Sequence, residues 1–101
     1  MPKIYEYFGL VIFFWSNEHE LIHVHIEYGD YMAVAEFVIK NGKVESYRFI
    51  QRKNVPMLPA SQLKKAKELI EAKKDDILKK WIDYFILKKN VKPIKITKRL
   101  S

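Results

Sequence analysis

The chain's three histidines, His19, His23 and His25, all fall within one seven-residue stretch. Imidazole exchanges its proton near neutral pH and is a common metal ligand, so such clustering is a starting point for chemistry. On a β-strand alternate side chains share a face, so the His-x-His pair presents both rings to one side. Three readings follow. In the first, His19, His23 and His25 hold a divalent metal, with Glu18 or Glu36 as a carboxylate ligand and an open position for hydrolysis. In the second, no metal is needed: His23 is a general base oriented by Glu36, with His25 alongside and the Tyr47 hydroxyl in reach. In the third, the histidines are half-exposed strand residues, held by Glu36 and backbone, that shape a surface for a partner. The spacing lacks a helical His-Glu-x-x-His frame or a second histidine pair, so no cofactor is expected and metal is the least favoured reading.

Other chemistries are poorly supplied. Without cysteine there is no thiolate nucleophile, zinc–thiolate site or disulfide. The three glycines all sit in turn contexts, so no phosphate-cradling loop exists, and Ser16, Ser46 and Ser61 lack a nucleophile-elbow setting. Arg48, Arg52 and Lys53, with His19, are candidates for contacts to phosphate or to a protein partner. The plainer reading of the three cations is a solvated strand end.

The elements that position these residues are legible from turn chemistry and periodicity. Lys3–Tyr7 alternates weakly, Phe8-Gly9 offers a turn, and Leu10–Trp15 is an apolar run rich in β-formers. Gly29-Asp30 suits a type II′ hairpin and Asn41-Gly42 a type I′ hairpin, giving a meander from about residue 21 to 51. Two-residue turns fix the register. Ile26 then faces Ala33, Val24 faces Ala35 and Ile22 faces Phe37 on an apolar side, where the small alanines leave room for Trp81. The other side collects His25 beside Val34 and a row His23–Glu36–Tyr47 across three strands.

Beyond the proline-marked connector 54–59, Ser61 is placed to cap a helix in which Leu63, Ala66, Ile70, Ile77, Trp81 and Phe85 form one apolar stripe. Residues 73–76 occupy its outer side and are the one place where it would break. Ile94 and Ile96 alternate with lysines in a tail that either adds an edge strand or orders on a partner. The expected architecture is α+β in one domain: an antiparallel sheet of about four to five strands over residues 3–52, packed on one face by a long C-terminal helix over about 61–87, then a basic tail at 88–101.

Composition agrees with a packed globule, at 49% hydrophobic and 14% aromatic residues. The net charge of +7 is concentrated after residue 61 and suits RNA or an acidic protein, as well as plain solubility. The apolar run at 10–15 is too short to span a bilayer and no cleavage site follows it, so a cytoplasmic, non-membrane protein is expected. An exposed sheet edge leaves a homodimer open.

Three segments carry a family resemblance: Met1-Pro2-Lys3-Ile4; Ser16-Asn17-Glu18-His19 followed by His23-Val24-His25; and Lys80-Trp81-Ile82-Asp83-Tyr84-Phe85. The chain resembles, nearly throughout to Phe85, the small prokaryotic family filed as domain of unknown function 4160. Relatives usually carry prolines just before the His-Val-His element; Leu21 and Ile22 stand there here, which implies a more regular start to the strand. The resemblance brings no established activity. It implies a neighbour-encoded second small protein (domain of unknown function 2442), an acidic partner in a toxin–antitoxin-like two-gene cassette. The leading functional expectation is thus a toxin-like or accessory component that binds or cleaves RNA through the histidine face. The alternatives are a non-enzymatic interaction or regulatory module and a metal-dependent hydrolase.

Overall fold

The structure, a computed structural model, describes residues 3–14 and 22–100. Six strands form one sheet: β1 (Lys3–Tyr7), β2 (Leu10–Phe14), β3 (His23–Tyr28), β4 (Tyr31–Lys40), β5 (Lys43–Ile50) and β6 (Ile94–Ile96), in the order β5-β4-β3-β2-β1-β6. The first five pair antiparallel with their sequence neighbours, and the β1–β2, β3–β4 and β4–β5 connections are two-residue turns. Asn41 and Gly42 both have positive φ, 54° and 77°, which the type I′ geometry demands. Phe8 (φ 47°) and Gly9 (φ 85°) make the same kind of turn between β1 and β2, and a side chain at Gly9 would meet the Tyr28 ring at 2.9 Å.

One face of the sheet is apolar. Ile12, Phe14, Val24, Ile26, Ala33, Ala35 and Phe37 are fully buried there, and the expected pairs Val24–Ala35 and Ile26–Ala33 are present. The Phe37 N–H donates to the Ile22 carbonyl at 2.9 Å, continuing the same register. Helix α1 (Ala60–Trp81) covers this face with Ala66, Leu69, Ile70, Ile77 and Leu78, residues at helical spacing on one stripe. It runs unbroken through 73–76. Trp81 is only partly buried and its ring meets Phe85, at 5.3 Å between centroids, so the stripe's aliphatic residues rather than Trp81 supply the helix's buried surface.

Four details depart from the sequence expectation. The helix begins one residue before Ser61; Pro59 is the cap position, and its carbonyl accepts from the N–H groups of Gln62 (2.9 Å) and Leu63 (2.8 Å). Proline fixes the backbone there and no side-chain cap is made. At the other end the helix widens into a π turn, Ile82–Ile86, closed by Leu87 N–H to the Ile82 carbonyl at 3.0 Å, and it stops at Lys88 with φ 55°. The tail takes one of its two expected forms and adds a sixth, edge strand, but the pairing departs from an all-antiparallel sheet: β6 runs parallel with β1, Tyr5 opposite Ile94 and Tyr7 opposite Ile96, making the sheet mixed.

The fourth departure matters for the site. Lys40 faces Lys43 and Ile39 faces Val44, but Val38 then faces Ser46, so Glu45 is an inserted bulge residue. A one-residue slip exchanges the faces of every later side chain. Without it Ser46 and Arg48 would point into the core. With it Tyr47 and Phe49 enter, and Tyr47 packs edge-on against Phe37 and Phe49 at 6.1 and 5.9 Å.

Candidate functional site

The sheet face turned away from α1 holds the candidate residues. His23 lies directly opposite Glu36, and because of the Glu45 bulge Glu36 lies opposite Arg48 rather than Tyr47. The row across β3, β4 and β5 is therefore His23–Glu36–Arg48. Glu36 Oε2 is 3.0 Å from His23 Nε2, while its Oε1 accepts from Arg48 Nε at 2.9 Å and terminal nitrogen at 2.8 Å. Burial opposes ionisation of Glu36, yet the hydrogen bonds from His23 and Arg48 outweigh it and hold its carboxyl below the ordinary value. The anchored carboxylate fixes the His23 ring with Nε2–H as donor. That leaves Nδ1 as the lone pair a base would use, and Nδ1 is buried with no hydrogen-bond partner.

His25 stands two residues along β3, between Phe13 and Val34 on the neighbouring strands. It is only 2% exposed, and its ring tilts against Phe13 at 5.5 Å between centroids. Burial first, then the charges of Arg52 and His23, pulls its pKa down to about 4, so the ring is neutral at physiological pH. Arg52 and Lys53 are exposed just beyond β5. Thus Glu36, His23, Arg48 and His25 share one face, with Arg52 electrostatically coupled to it. The expected His23–Glu36–Tyr47 row is corrected: Tyr47 lies on the opposite face, where its hydroxyl donates to Glu71 of α1 at 3.1 Å. His19, proposed as a metal ligand and binding residue, lies outside the described residues, as does Glu18. Among the described residues no three His, Asp or Glu side chains come together as a metal centre would need.

Sequence reasoning missed a second polar pattern, on the helix side. Tyr5, Tyr7 and Tyr47 each donate a hydroxyl hydrogen bond to an α1 carboxylate, respectively Asp76, Glu68 (3.1 Å) and Glu71 (3.1 Å). Burial, then the Asp76 contact, raises the Tyr5 pKa, so this hydroxyl stays protonated as a donor. Each carboxylate is also held by a cation: Lys80 at 3.1 Å from Asp76, Lys74 at 3.0 Å from Glu71, and Arg99 in a forked contact with Glu68 that includes an Nε contact at 3.1 Å. The Leu100 N–H donates back to the Tyr7 hydroxyl at 2.9 Å, tying the tail to β1. The signal available in sequence was the i, i+2 pair Tyr5/Tyr7 on one strand face and acids flanking the apolar helical stripe.

A mixed α+β sheet with one covering helix and a carboxylate-bridged histidine–arginine row defines the class of protein. The family described as domain of unknown function (DUF4160) matches residues 9–82, and the chain belongs to it. That span includes β2 to β5, the whole row and all of α1. No curated protein and no solved structure matches the chain. No helix among the described residues is long and apolar enough to cross a membrane.

Proposed function

We propose that the chain is the basic, toxin-like or accessory member of a prokaryotic, cytoplasmic two-gene cassette, and that it binds RNA without cutting it. The observation that carries the reading is the contrast between the two sides of the fold. On the histidine face the imidazoles are withdrawn: His25 is 2% exposed and the Nδ1 of His23 is buried. On the helix layer Lys64, Lys67 and Lys79, and then Lys88, Lys89, Lys92, Lys95 and Lys98 of the tail, are exposed. Of the acids interleaved with them, Glu68, Glu71 and Asp76 are engaged by tyrosines and cations and Asp75 is exposed, which still leaves a positive surplus facing water. Lysines on flexible stems contact phosphate as point charges, giving attraction that is strong at low salt and indifferent to sequence. A small acidic neighbour-encoded protein of the domain of unknown function 2442 type would compete for the same surplus.

The test is fluorescence anisotropy with a labelled single-stranded RNA across a salt series. Binding should weaken steeply with salt, with a log–log slope of about −0.7 for each phosphate neutralised. Lys64→Glu with Lys67→Glu should lower affinity by about tenfold or more, and His23→Ala should leave it unchanged. Salt-independent binding, or none, refutes the reading.

A second reading is favoured by one observation, the carboxylate-oriented ring of His23 beside the 70%-exposed Arg48 side chain. There the row cleaves RNA, with Arg48 taking the phosphate and His23 moving a proton once Glu36 releases one of them. RNA cleavage that purifies with the protein and disappears in His23→Ala would establish this reading over the first.

A further inference from the structure

We propose that the open edge of β5, with the groove at its first residue, docks an extended acidic segment of another protein, which seats one apolar side chain on Leu78 and Ile82. The inference does not rest on the RNA reading, although Lys79 belongs to both surfaces. Of the sheet's two edges, β6 offers three residues and β5 eight, so β5 is the edge long enough to accept an added strand. Main-chain groups along such an edge supply affinity irrespective of sequence, and neighbouring pockets supply choice.

A pocket lies where it is needed. A groove of about 400 Å³ opens between the β4–β5 turn and α1, lined by Gly42, Lys43, Asp75, Leu78, Lys79 and Ile82. Its floor is apolar: Leu78 is 9% exposed, Ile82 is 40% exposed, and Ile86, one turn further on the π-helical stretch, is 60% exposed. Exposed aliphatic surface contiguous with a groove is the mark of an interaction site rather than of isolated surface residues.

Charge selects the occupant. Lys43 and Lys79 rim the groove, and neither has a carboxylate partner among the described residues. Arg48, further along the edge strand, has a 70%-exposed side chain. Asp75 is the one acid in the lining, and Glu45 is taken by Lys40 at 3.8 Å. A second copy is disfavoured at this edge because each brings a net charge of +7, and the Glu45 bulge interrupts a flat ladder. RNA has no strand backbone to offer β5 and no aliphatic group for Ile82. An acidic strand with an apolar anchor satisfies all three features at once.

The probe is a synthetic octapeptide alternating glutamate and valine and ending in leucine, titrated into the labelled protein and followed by amide chemical shifts. Shifts should gather on residues 43–50 and on Leu78 and Ile82, with a sub-millimolar Kd. Lys43→Glu with Lys79→Glu, and separately Ile82→Glu, should each weaken binding by about tenfold, a loss read directly from the titration. Amides of β1 and β2 report that each variant stays folded, and Ile82→Ala replaces Ile82→Glu if the latter does not. The proposal is overturned by no shift at millimolar peptide, or by equal shifts with a lysine-for-glutamate peptide. It is equally overturned if self-association on raising the protein concentration moves these same amides, or if an RNA oligonucleotide moves the β5 amides 43–50.

Discussion

Replacing His25 by glutamine removes a titration that the fold suppresses, and the effect is calculable. The unfolded chain takes up a proton on His25 near the ordinary value of 6.5, whereas the folded protein holds it off until about 4. The folded state therefore binds fewer protons between these values, and stability falls as pH falls through that window. Above the ordinary value the neutral ring costs nothing extra; below the folded value the loss is complete. At pH 5 the unprotonated fraction of the ring is ~30 times larger in the folded than in the unfolded state, which corresponds to about 2 kcal/mol. For a domain of this size that is of the order of 10 °C in Tm. The assay is urea unfolding of both proteins at about pH 7.5 and pH 5. The glutamine variant starts out less stable, since an amide replaces a ring that packs on Phe13. What decides is the change with pH: the native protein should lose about 2 kcal/mol more than His25→Gln over this interval. The carboxylates Glu36, Glu68, Glu71 and Asp76 have their pKa values held below the ordinary ones by hydrogen bonds and neighbouring cations, and they are common to both chains. Parallel losses in the two proteins would refute the account of His25 as a neutral, buried ring.

Three further outcomes are expected. Deleting Glu45 should be tolerated far better than Tyr47→Ala, because removing the inserted residue leaves Ser46 opposite Val38 and Tyr47 opposite Phe37 in a regular ladder, whereas the alanine variant empties a core position; chemical denaturation of both compares them directly, and equal losses would remove the bulge from the argument. Tyr5→Phe should cost ~1 kcal/mol by leaving the half-buried Asp76 without its donor, and an NMR titration should find the Asp76 carboxyl nearer its ordinary value. Arg99→Ala should speed amide exchange in β6 and at Leu100 while leaving exchange in β3 and β4 unchanged; uniform slowing or speeding across the sheet would contradict a local clamp.

The parts of the fold that sequence revealed are those governed by near neighbours. Phe8-Gly9, Gly29-Asp30 and Asn41-Gly42 punctuate apolar runs, and each became the turn its residues favour. Hence His23 opposite Glu36 and His25 opposite Val34 are readable from the sequence, since only the Gly29-Asp30 turn lies between them. Arg48 was not placed in the row because a turn sets the register only up to the first bulge, and the inserted Glu45 shifts every residue beyond it. The clue was present as a break in parity: Val44 is apolar and inward, yet Tyr47 and Phe49 are the next large inward groups, and an odd step separates them. The cap at Pro59 was hidden by the better-known preference for Ser61. The tyrosine–carboxylate contacts between sheet and helix were hidden because they join residues 24 to 71 positions apart.

The pairing of β1 with β6 has a kinetic consequence. Tyr5 meets Ile94 only after nearly the whole chain has been drawn into a loop, whereas the β1–β2, β3–β4 and β4–β5 hairpins each close across two residues. Loop-closure entropy makes such a contact late, and its few residues give little return until α1 is seated. During folding, then, β1 is for a time the outermost strand, with its backbone groups unsatisfied, and the docking of Arg99 on Glu68 ends that interval. Refolding should accordingly show a final slow step, sensitive to changes at Arg99 and insensitive to changes in the β3–β4 hairpin, and protein refolded at high concentration should aggregate through β1 before that step is complete.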